Sequence, residues 1–106
     1  MNTETNQKKF TVPVTQFIRP HRGIREETTE ISEALRPKFE LMQKLNCRLT
    51  AEVLPTGHVS LCIEQPSLGD VDCRIATNGP QVQEKIEAML GDFTEESFNQ
   101  FKEVMS

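Results

Sequence analysis

The sequence predicts an α+β fold: an antiparallel sheet made of an N-terminal β-hairpin and a three-stranded meander, covered by two to three helices, in the order β-β-α-β-β-β-α-α. Three observations carry this. Apolar residues alternate with a period of two through residues 47–53 and 59–63. They recur at helical spacing at Leu35, Phe39, Met42 and Leu45, and again at Val82, Ile86, Met89 and Leu90. Turn-forming clusters, Pro20-His21-Arg22-Gly23, Pro55-Thr56-Gly57 and Asn78-Gly79-Pro80, separate the runs.

Taken in order, residues 1–9 are polar and without apolar period, which predicts a flexible tail ahead of a single α+β domain over residues 10–106. The run FTVPVTQFIR from Phe10 is rich in β-branched and aromatic residues and pairs with IREETTEI across the first turn. Pro13 cannot donate to a ladder, so the first strand is expected at a sheet edge or with a bulge. The second strand carries Glu26, Glu27, Thr28, Thr29 and Glu30 in succession and buries little.

Ser32 can cap a helix, and Pro37, whose ring presses on the carbonyl of Glu33, predicts a kink or a separate first turn before the regular helix starts at Pro37. Asn46 ends it, because Asn tolerates the left-handed conformation. In CRLTAEVL, Cys47, Leu49, Ala51 and Val53 face the core; Val59, Leu61 and Ile63 do so on the return strand, and Val71, Cys73 and Ile75 on the third. Asn78-Gly79-Pro80 opens a helix that Gly91 terminates, and Thr94 caps a last helix with Phe98, Phe101 and Met105 at helical spacing, its two aromatics expected to pack on the core, with association as the alternative.

A chain of 106 residues has room for one core and no second domain. No apolar stretch approaches the roughly 20 residues of a spanning helix, and MNTETNQKKF lacks the apolar centre of a secretory signal, so a cytoplasmic address without membrane contact is expected. The net charge of -4 is unevenly spread. Residues 1–25 carry five cations against Glu4 and sum to +4, leaving -8 on the remainder. Lys8, Lys9, Arg19, His21, Arg22 and Arg25 are therefore the candidate binding patch, gathered about the hairpin. A pI near 5.2 argues against a dedicated nucleic-acid binder.

Catalytic and metal chemistry find little support. Cys47, His58, Cys62 and Cys73 are of zinc-ligating types, but strand alternation sets His58 and Cys62 on one face and Cys47 and Cys73 on the other, so no metal site is expected. The three cysteines read as reduced core thiols. Asp70 and Asp72 with Glu64 read as a solvated acidic loop rather than a cation site. Cys62 and His58, four apart in a strand, are about 13 Å apart and cannot act as a nucleophile and its base. No glycine-rich phosphate loop is present, so neither an enzyme nor a cofactor is expected.

Val14-Thr15-Gln16-Phe17-Ile18-Arg19-Pro20, Thr29-Glu30-Ile31-Ser32, the run from Glu52 to Leu61 and Asn78-Gly79-Pro80 together resemble a family of small uncharacterised bacterial and bacteriophage proteins, over residues 14–90. These are turn and strand signals, so the resemblance implies a phage or mobile-element origin and transfers no site residue. The favoured reading is a small acidic protein-interaction module whose hairpin edge meets a protein partner or a second copy, with a host protein as the implied target. The alternative is a nucleic-acid accessory protein that uses the basic hairpin, with Phe10 or Phe17 available for stacking.

Overall fold

In the computed structural model, residues 8–18 and 23–106 are described. Five strands, β1 (Lys9–Ile18), β2 (Gly23–Ser32), β3 (Arg48–Val53), β4 (Val59–Gln65) and β5 (Gly69–Ala76), form one sheet in the order β2-β1-β3-β4-β5. Helix α1 (Arg36–Lys44) links β2 to β3, and α2 (Gly79–Asp92) and α3 (Glu95–Met105) follow β5. The element order matches the sequence expectation. The sheet is mixed, however: β1 and β3 run parallel through Thr15↔Thr50, Gln16↔Ala51 and Phe17↔Glu52, while every other pairing is antiparallel. The reason is topological. The crossover through α1 passes over β1, which seats β3 beside the first strand of the hairpin instead of the second.

Pro13 corrects a second expectation. β1 lies inside the sheet, and its register with β2 is continuous past Pro13↔Thr28. The proline is tolerated because the β3 ladder begins only at Thr15, leaving Pro13 with a strand neighbour on one side alone. β1 also starts at Lys9, one residue inside the expected tail, and the Lys8 carbonyl accepts from Glu33 N–H at 2.8 Å. Residues 1–7 of the expected tail and residues 19–22 around the expected turn lie outside the described residues.

The proline in the first helix acts as anticipated. Ser32 accepts from Ala34 N–H and caps a single 3-10 turn over Glu33–Leu35, after which α1 starts with Pro37 in its first turn, where a missing N–H costs nothing. Asn46 leaves the helix at φ 64°. Asn78 caps α2 by accepting from Gln81 N–H, and Thr94 and Ser97 form a reciprocal box at the start of α3. Gly91 does not end α2; the helix continues to Asp92, and Lys38 from α1 donates to the freed carbonyls of Gly91 and Phe93.

One face of the sheet is buried beneath α2, which reaches β5, β4 and β2. Val12, Leu49, Leu61 and Ile63 meet Ile86, Met89 and Leu90 in one apolar cluster, and each fully buried side chain of this size contributes about 1.5–3 kcal/mol. Phe39 of α1 stands edge-on to Phe10 at 5.9 Å, closing the end of the sheet where β1 begins. Phe98 is buried and packs 6.3 Å from both Phe93 and Phe101, so α3 joins the core, while Val104 and Met105 stay exposed.

Val71 packs against the core as expected, but strand β5 departs beyond it from the pattern read in the sequence. A bulge at Ile63/Glu64 shifts its phase, so that Asp72, Arg74 and Ala76 oppose Ile63, Leu61 and Val59 on the helix side. Cys73 and Ile75 consequently turn to the opposite face, where Cys73 is exposed and Ile75 is 46% exposed. Arg74 is held on the helix side by Asp72 and by Asp92 of α2, each at 2.9 Å, and these carboxylates raise its pKa.

Candidate functional site on the open face of the sheet

The predicted basic patch divides. Lys8 precedes β1 and Lys9 opens it opposite Ser32, whereas Arg25 lies on β2 opposite Gln16, seven residues further along. At about 3.3 Å per residue, that register places Lys9 and Arg25 roughly 23 Å apart at opposite ends of the hairpin. Arg25 is paired with Glu27 at 3.6 Å. Residues close in number are separated because an extended strand carries them apart. Arg19, His21 and Arg22 lie outside the described residues.

The structure brings a different set together. On the face away from α2, Phe17 of β1, Thr50 and Glu52 of β3, Ser60, Cys62 and Glu64 of β4, and Asp70 and Cys73 of β5 line a hollow of about 290 Å³. Thr50 and Cys62 are buried at its floor, while Asp70 and Cys73 form its open rim. Arg48 donates to Glu64 at 2.7 Å and lies 5.6 Å above the Phe17 ring, so the guanidinium neutralises one wall and packs against another. Ser60 Oγ is 3.9 Å from Cys62 Sγ.

Cys62 and Cys73 are opposed in register, with Cα atoms 4.1 Å apart, and are joined in a disulfide. Two expectations are thereby corrected. These cysteines share a face, because the bulge reverses the phase of β5, and they are oxidised rather than reduced core thiols. Only Cys47 is a buried free thiol, packed in the core, and burial pushes its pKa up to about 11.

The bulge also splits the acidic loop. Asp70 comes opposite Glu64 on the open face, whereas Asp72 turns to the helix side and pairs with Arg74. Among the described residues, Cys62, Asp70 and Cys73 place their ligand atoms within 4.8 Å of one another. The signal for this grouping lay in the spacing of Glu64 to Asp72: a tight turn closed by Gly69 at φ 122° with one surplus residue in the returning strand. Period-two counting alone does not reveal it.

Fold and site together define the class of the molecule, a three-helix α+β protein that covers one face of a five-stranded mixed sheet and leaves a cysteine-bearing hollow on the other. No protein-family model, no curated protein and no solved structure matches the chain. No helix among the described residues is long and apolar enough to cross a membrane.

Proposed function

We propose that this protein is a binding module and not an enzyme, and that its partner adds an extended segment along β2. The observation that supports this is the position of β2: ten residues long, at the edge of the sheet, and paired with β1 alone among the described strands. An edge of that length presents a row of backbone donors and acceptors to another chain. Residues from Ile24 to Thr28 are exposed, and Ile24 at 64% offers an apolar anchor beside the charges of Arg25, Glu26 and Glu27. The acidic excess of this strand selects a basic segment, as does the chain's net charge of -4. The resemblance to small bacterial and phage proteins extends the reading to a host protein as the target.

The test is capture of partners by tagged protein with and without nuclease, repeated with Glu27→Pro and Thr28→Pro. Adjacent strand residues point their N–H groups to opposite sides, so one of the two prolines removes an outward donor. A stoichiometric partner that resists nuclease and is lost in one proline variant supports the reading. Recovery of nucleic acid alone, released by salt and by joint Arg19→Glu, Arg22→Glu and Arg25→Glu substitution, replaces it with the basic-hairpin alternative.

A further inference from the structure

We propose that Cys62, Cys73 and Asp70, once the disulfide is reduced, form a binding site for a soft divalent cation such as Zn²⁺. This site is independent of the β2 edge. Its basis is geometric: both Sγ atoms and an Asp70 carboxylate oxygen lie within 4.8 Å of one another on the same face. Each ligand is placed by the backbone. Register opposes Cys62 to Cys73, and the bulge at Ile63/Glu64 brings Asp70 onto their face instead of Val71.

The chemistry of the set selects the ion. Two thiolates and a carboxylate are a soft-weighted S₂O donor group, which suits Zn²⁺ and disfavours Ca²⁺ or Mg²⁺, whose sites are built of oxygen alone. With metal–sulfur bonds near 2.3 Å, a tetrahedral ion holds its two sulfurs roughly 3.8 Å apart, a span that a directly opposed cross-strand pair reaches by side-chain rotation. Glu64, opposite Asp70, is already paired with Arg48. Ser60 Oγ, 3.9 Å from Cys62 Sγ, stands ready to orient that thiolate. Cys73 and Asp70 are exposed, which gives the ion a path in and leaves its fourth position to water.

The disulfide and the metal exclude each other, since the same two sulfurs serve both. A dithiol reductant takes up the Cys62–Cys73 bond: it gives two electrons and two protons, two thiols form, and the reductant closes to its own cyclic disulfide. The ion then displaces the two thiol protons as two sulfur–metal bonds form. Occupancy is thus set by the reducing poise around the protein.

Full-length protein is reduced with a phosphine, freed of reductant without oxygen, and titrated with Co²⁺ and then Zn²⁺. The expected result is one equivalent of Co²⁺ with a thiolate-to-cobalt charge-transfer band, displaced by Zn²⁺, and no binding by the oxidised protein. Cys73→Ser, at an exposed position, abolishes the band, and Asp70→Asn weakens binding, while Cys47→Ala leaves it intact. The proposal is overturned if reduced protein takes up no stoichiometric Co²⁺ or Zn²⁺, or if uptake survives in Cys73→Ser.

Discussion

Cys62 on β4 and Cys73 on β5 stand directly opposite, 4.1 Å apart at Cα, although simple alternation along β5 assigns them to opposite faces of the sheet. One surplus residue at the bulge makes the difference. The disulfide closes a loop with a sequence separation of 11, for which the chain-entropy estimate is a stabilisation of about 2–3 kcal/mol. Cys73→Ser is therefore expected to lower the stability of the oxidised protein by about that amount in urea denaturation. Under reducing conditions without metal the variant and the parent are expected to coincide. A loss that persists after reduction assigns the effect to packing at position 73 and not to the cross-link.

The reversed phase of β5 has its own test. Ile75 is half-exposed on the open face, so Ile75→Ser is expected to change stability by no more than about 0.5 kcal/mol. Ala76 is fully buried opposite Val59 in the cluster beneath α2, and Ala76→Leu is expected to cost about 1–3 kcal/mol by overpacking. The phase read from the sequence, with Val71, Cys73 and Ile75 inward, demands a large loss at Ile75. Thermal or urea unfolding of the two variants separates the two arrangements.

These residues show what the sequence makes legible and what it conceals. Helices and most strands were readable because local physics sets them: the Ser32 cap, Pro37 in a first turn, Asn46 in the left-handed region, and the alternation of Leu49, Ala51, Leu61 and Ile63. The parallel pairing of Thr15 with Thr50 was not, since it depends on which side of the hairpin the crossover lands. The hollow was hidden for the same kind of reason. Its residues come from four strands and meet only after a non-local pairing and a bulge have set the register. Conversely, of the basic residues that the sequence gathers about the hairpin, Lys9 and Arg25 are set apart by an extended strand.

Glu87 ties the helical layer to the far side of the sheet. Its carboxylate accepts from Ser32 N–H at 2.7 Å, joining α2 to the end of β2, the strand furthest from β5. The group is partly buried, so Glu87→Ala strands a backbone donor and is expected to cost about 1–2 kcal/mol. Glu87→Gln keeps an acceptor oxygen and is expected to recover part of that loss. Unfolding in urea with an unchanged m-value checks both; equal losses in the two variants show that the bond contributes less than the charge.

The Cys47 thiol gives a pH signature with a defined sign. Burial raises its pKa from an ordinary 9.0 to about 11, because the thiolate is disfavoured among the core side chains around it. Between those two values the unfolded chain gives up the proton and the folded chain keeps it, so folding stability falls as pH rises through this window and is unaffected below it. The chain has no tyrosine, and Cys62 and Cys73 do not titrate while oxidised. Comparison with Cys47→Ala isolates the thiol's contribution: the decline from about pH 9 to 11 is expected to be shallower in the variant. The same burial predicts that native Cys47 reacts with iodoacetamide at pH 8 far more slowly than an exposed thiol, and denaturant is expected to restore the ordinary rate. Rapid alkylation of Cys47 in the folded protein contradicts the burial that the structure assigns to it.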